Sequence, residues 1–171
     1  MALQRGQSGT ERTRTKYSRL IGVLSGLTAF ALIVFGGAAL YRWASARRAV
    51  TFTDARRQAA EFISYDRSIS LTPVQKEIMD QALSSIPAPC CDQFSIATCC
   101  CPCNLAKSTW GLSKFLIAKQ QATATQVRAA AAEWLQFTNP GGYTGDACFT
   151  KGCNRPFEAN GCGGMDDRHI Q

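Results

Sequence analysis

Histidine is nearly absent: the 171 residues contain one, His169. That excludes any site built on two or more histidines of this chain, zinc-protease sites among them, and no Cys-x-x-Cys-His haem attachment is present. Acidic residues are scarce where basic ones gather. Residues 1–57 carry ten Lys and Arg against two Asp and Glu, or +8, whereas residues 58–171 carry nine against ten, or −1, which together make the net +7. The excess belongs to the N-terminal third, so charge makes no case for a nucleic-acid-binding domain. A phosphate-cradling loop is also missing, because Gly161-Cys162-Gly163-Gly164 follows loop sequence and opens no helix. No alternating strand pattern precedes Cys101-Pro102-Cys103, which speaks against a thioredoxin-like dithiol. A Cys–His nucleophile would have to use His169, two residues from the last, so no catalytic residue is assigned. An apolar fraction of 46% excludes a wholly disordered chain.

What is present begins with Leu20 to Tyr41, twenty-two residues without a charge. As a helix they span about 33 Å at 1.5 Å per residue, enough to cross a bilayer. Arg19 and Arg42 close the run, and Tyr41 and Trp43 fall where aromatic side chains favour the headgroup region. Ala44-Ser45-Ala46 has the form of a signal-peptide cleavage site, but the run is longer than a signal peptide's apolar region and Arg42 intervenes. A retained single-pass anchor is expected at 20–41. The flanking basic residues balance, so orientation rests on the thiols: all nine cysteines follow the anchor, and Cys-dense domains concentrate in oxidising compartments. The C-terminal domain is therefore placed on the extracytoplasmic side. Residues 1–19, polar and basic, are expected as a disordered tail near anionic headgroups.

Residues 42–67 are expected as a helical stalk, with Phe52, Ala55, Ala59, Phe62 and Ile63 at near-helical spacing. Thr72-Pro73-Val74-Gln75 is a helix start, with Thr72 as cap, Pro73 at the first position and Gln75 as capping-box partner. Its stripe Val74, Ile78, Ala82 and Ile86 predicts a core face, ended by Pro87 and Pro89. Two further helices are predicted, Asn104 to about Gln120 on Leu105, Leu112, Phe115 and Leu116, and Thr125 to Phe137 on Val127, Ala130, Trp134 and Phe137. Gly111 weakens the first of these. Tyr143 to Met165 is expected as an irregular, Gly-rich loop held by cross-links. The fold class is thus α: a transmembrane helix, then a small Cys-rich α-helical domain at 68–165 and a tail at 166–171.

Six of the nine cysteines, Cys90, Cys91, Cys99, Cys100, Cys101 and Cys103, fall within fourteen residues, and Cys148, Cys153 and Cys162 follow the helical insert. Such density needs a chemical explanation. Thiolates at this spacing can hold a soft ion: four suit tetrahedral zinc or an iron–sulfur cluster, two or three suit Cu(I). Cys103, at the start of a predicted helix, gains thiolate character from the helix dipole. Met165 could add a thioether, although a Met in a glycine loop is more often no ligand. The competing chemistry is a disulfide framework, in which adjacent cysteines do not bridge each other and links run between the early cluster and the late trio, stapling the Gly-rich segment onto the helices. All nine cysteines are candidate metal ligands, and both chemistries stay open.

The stretch from Thr72 through Ile86-Pro87-Ala88-Pro89-Cys90-Cys91 to the second cluster resembles the PCYCGC-motif family of bacterial exported Cys-rich proteins, in which a short helix leads into an Ile-Pro-Cys run. The family's cysteines alternate and a histidine follows them; here Cys90 and Cys91 are adjacent and no histidine comes before His169. The resemblance covers about thirty residues. It implies an envelope-exposed, metal-binding domain and assigns no residue a role. Taken together, the sequence points to a membrane-anchored domain binding a soft metal ion or cluster through thiolates, in metal handling or electron transfer. The alternative is a disulfide-stapled accessory subunit of a larger membrane complex. The partners expected are the lipid bilayer and other membrane-protein subunits, with no nucleic acid.

Overall fold

The computed structural model describes residues 50–99, 101–142 and 154–171, apart from the side chain of Asp92. The expected basic tail, the transmembrane helix and the first part of the stalk lie outside the described residues, as do Cys100, Cys148 and Cys153. Among the described residues no helix is long and apolar enough to cross a membrane. They belong to one unit, Ala49–Gln171. Most of it is helix, as the α class requires.

Helix α1, Ala55–Ser68, starts where Asp54, in extended conformation, accepts a hydrogen bond from the Arg57 N–H at 2.9 Å. Its Ala59, Phe62 and Ile63 are buried in the core. The stalk expectation is therefore corrected from Ala55 onward. The apolar spacing that suggested a helix leaving the membrane is the inner face of a core helix, and Val50 and Phe52 precede it as non-helical chain packed on the same core. Helix α2, Pro73–Leu83, has the complete Thr72/Gln75 capping box. Ala82 and Leu83 are buried, but Val74 is 67% exposed, so the core stripe begins one turn later than predicted.

After α2 comes an unpredicted element, a two-stranded antiparallel sheet of β1, Pro87–Ala88, and β2, Cys91–Ser95. Pro87 faces Ser95 and Ala88 faces Cys91, with a register irregularity between them. So short a strand pair leaves no room for the alternation by which strands are read. The Ile96 N–H closes the hairpin on the Ile86 carbonyl at 2.8 Å, and a 3-10 turn, Ile96–Thr98, leads to the second cysteine cluster.

Helices α3, Asn104–Gln120, and α4, Ala124–Thr138, lie within a residue or so of their predicted bounds. Leu105, Leu112 and Leu116 of α3 and Val127 and Trp134 of α4 are buried, each contributing about 2 kcal/mol through removal of apolar surface from water. The Trp134 indole N–H donates to the Ser108 hydroxyl at 3.0 Å, so its one polar atom is satisfied inside the core. Helices α1 and α3 meet at Gly111, where a Cβ would stand 1.7 Å from the Phe62 carbonyl oxygen. Lys114 of α3 reaches the Asp66 carboxylate at 2.7 Å and joins the same two helices.

The last described segment is ordered against α3, which corrects the tail expected at 166–171. The Gln171 N–H donates to the Gly163 carbonyl at 2.9 Å, its carbonyl accepts from the Phe157 N–H at 3.1 Å, and Ile170 packs on the core. Asp167 pairs with Arg67 and approaches Lys107 at 3.9 Å. His169 projects into solvent beside Asp166.

Candidate functional site

Three pieces of chain meet at the N-terminus of α3. The hairpin supplies Cys90 at its tip and Cys91 at the start of β2, both buried. The turn after the 3-10 segment supplies Cys99, Cys101 and Cys103. Here the Cys101 carbonyl accepts twice, from the Cys99 thiol at 3.4 Å and from the Cys103 N–H at 2.8 Å, which draws Cys99 and Cys103 to one carbonyl. Cys103 is the N-cap residue of α3, in extended conformation.

The third piece is Gly161 to Asp166. The first N–H groups of a helix have no partner within it. In α3 they are taken by this segment: Asn104 N–H donates to the Gly164 carbonyl at 2.9 Å and Leu105 N–H to the Cys162 carbonyl at 3.1 Å. The Asn104 side chain, fully buried, donates to the Gly163 carbonyl at 2.8 Å and to the Asp166 carbonyl at 2.9 Å. Gly163 has φ +71 and would place a Cβ 2.5 Å from the Phe157 ring, so only glycine fits there. Cys162 is thereby set beside Cys103.

Two thiol–thiol contacts result. Cys103 is hydrogen-bonded to Cys162, and this contact, with help from the Ala106 and Leu105 N–H groups, holds the Cys103 thiol below its ordinary range against the opposing effects of burial and of Cys90. Cys99 is hydrogen-bonded to Cys90, and that contact together with burial raises the Cys99 thiol far above the ordinary range. The two pairs feel each other, since the charge of Cys103 acts on Cys99 and that of Cys90 on Cys103. Exposure differs within the set: Cys90, Cys103 and Cys162 are 1%, 1% and 0% exposed, whereas Cys99 is only partly buried.

Of the nine cysteines singled out from the sequence, four are thus brought together in pairs. Cys91 sits beside them at the strand start, Cys101 contributes its carbonyl, and Cys100, Cys148 and Cys153 lie outside the described residues. Among the described residues no three His, Cys, Asp or Glu side chains form a ligand group for a metal ion. Met165 is 41% exposed, and its carbonyl accepts from Lys107 Nζ at 2.9 Å. Asn104 was missed in the sequence; its one signal is a buriable amide directly after a helix-capping cysteine. A cleft of about 550 Å³ between Asp66, Met79, Trp110 and Lys114 has no cysteine in its wall. A thiol pair at hydrogen-bonding distance can close as a disulfide with little backbone movement, or hold a two-coordinate soft ion such as Cu(I).

Comparison with protein-family models, with curated proteins and with solved structures finds no match to this chain.

Proposed function

We propose that the chain is a membrane-anchored, non-enzymatic accessory module: residues 20–41 hold it in the bilayer, and a Cys-rich α domain outside the cytoplasm is stapled by disulfides. The observation that carries this reading is the pairing of Cys90 with Cys99 and of Cys103 with Cys162. Each pair joins separate pieces of chain, and the second fastens the Gly-rich segment to α3, as a staple must. The resemblance to exported Cys-rich proteins accords with an oxidising location. A larger membrane complex is the proposed partner of the anchored module.

The low-lying thiol of Cys103 beside Cys162 favours one second reading, a Cu(I) ion held by the two sulfurs. The full chain, purified in detergent without reductant or added metal, separates the two. Denaturing alkylation, peptide mapping and elemental analysis of one sample are expected to give linked Cys90–Cys99 and Cys103–Cys162 peptides and no stoichiometric metal. Alkylated Cys103 and Cys162 with about one copper per chain would replace the stapled module by the metal-binding one.

A further inference from the structure

The uncharged run ends at Tyr41, and the first described residue of the domain is Val50. However residues 42–49 run, the two are joined by a chain that spans at most about 30 Å when fully extended. The end of the domain that holds Val50 and the start of α1 is therefore kept within that reach of the bilayer. That end is basic. Residues 42–57 carry Arg42, Arg47, Arg48, Arg56 and Arg57 against a single acid, Asp54, and the last two arginines lie exposed in the first turn of α1. Beside them opens a cleft of about 440 Å³, with Ala55, Phe137, Pro140, Gly141 and Phe157 in its walls. Phe137 is 36% exposed, and its ring stacks at 5.8 Å on that of Phe52, two residues past Val50. Glu158 is the one charged side chain among the described residues of the wall. Arg56 holds both of its oxygens, at 3.0 and 3.1 Å, so the cleft offers no net negative charge. Arg57 stands 3.8 Å from the Asp54 carboxylate with both side chains more than half exposed, a pair too loose and too wet to occupy its guanidinium.

We propose that this end of the domain is a docking face for an anionic lipid surface. Arg56 and Arg57 engage headgroup phosphates, while Phe137 and the Pro140-Gly141 turn at the mouth of the cleft settle into the interfacial layer. The inference rests on the anchor proposed above and gives the same chain a second contact with the bilayer. Each part suits that occupant. The planar guanidinium matches the oxygens of a phosphate, and an aromatic ring favours the level between headgroups and acyl chains. Two arginines beside one exposed ring would bind a vesicle only weakly from free solution. A tether of this length makes the contact intramolecular, with an effective concentration near the millimolar range, so a weak surface suffices. The tether also selects lipid over a protein partner, because it holds the bilayer within reach at all times.

The test places the full chain in lipid nanodiscs, either of phosphatidylcholine alone or of phosphatidylcholine mixed with phosphatidylglycerol, and follows amide hydrogen exchange by mass spectrometry. Peptides covering 54–57 and 137–142 are expected to exchange more slowly in the anionic discs than in the neutral ones. The double variant Arg56→Gln/Arg57→Gln is expected to lose that slowing, since two basic residues near an anionic surface favour the docked state by about 30-fold. Both arginines are exposed, and the amides of α3, exchanging alike in the two proteins, serve as the control that the variant is folded. Equal exchange of 54–57 and 137–142 in the two kinds of disc, or undiminished slowing in the double variant, overturns the docking face and leaves the anchor standing. A chain that does not stay with either disc overturns the anchor and the docking face together.

Discussion

A methyl group at position 111 has no place to go. A Cβ there would lie 1.7 Å from the Phe62 carbonyl oxygen and 2.9 Å from the Asp66 N–H nitrogen, both of them backbone atoms of α1 that no rotamer change can move aside. Gly111→Ala is therefore expected to destabilise the domain by about 3 kcal/mol, despite a helix-propensity gain of about 1 kcal/mol. Urea unfolding followed by the fluorescence of buried Trp134 would show it, and an unchanged or raised midpoint would mean that α1 does not sit on this glycine. In the sequence, Gly111 reads only as a weak point of a helix, since propensity is local and the α1 carbonyl it admits belongs to a residue far back in the chain. Cys103 was more legible. Its place before a helix start follows from neighbouring residues alone, whereas its partner Cys162 is fixed by tertiary contact.

At the scale of elements the same division holds. The capping boxes of α2 and α4 are both present: Thr72 with Gln75, anticipated together with Pro73, and Thr123 with Gln126. Caps are legible because their donors and acceptors lie within three residues of each other. The β1–β2 hairpin and the 154–171 segment were not legible, having neither period nor length; they are held by single carbonyls offered to distant N–H groups. Asn104 is the main fastening of that segment. Asn104→Ala removes two hydrogen bonds, one of them fully buried, at a local cost of about 2 kcal/mol, and trypsin is then expected to cut after Arg168, the Arg155–Pro156 bond being resistant to it, while the helical core stays intact. Reductant should be present in this assay so that the proposed Cys103–Cys162 link does not mask the loosening. Cleavage no faster than in the unaltered chain would show that the backbone bonds to α3 suffice.

For the whole molecule, the uneven charge and the uncharged run from Leu20 to Tyr41 predict how the chain partitions. Alkaline carbonate strips peripheral proteins but leaves a spanning helix in place. The full chain is expected to stay with the membrane pellet, and a chain beginning at Ala49 to enter the supernatant; release of the full chain would exclude an anchor. The architecture of the domain was legible as four helices in order, although the first was read as a stalk, because an amphipathic stripe shows that a face is buried and not what buries it. Three cross-chain features remained invisible to periodicity: the Gly111 crossing, the thiol pairing and the fastening of 154–171.

Phe52, two residues before the Asp54 cap, stands with its ring 5.2 Å from that of Trp134, 5.8 Å from Phe137 and 6.3 Å from Phe62, so three rings of α1 and α4 surround it. Mechanically this is a cleat. A pull on the chain ahead of residue 50 loads this ring together with the bond from the Gln58 side chain to the Thr51 carbonyl, and the ring divides its share between two helices that sequence separates. Tension arriving from the N-terminal side thus meets side-chain shear at the seat of one ring among three others.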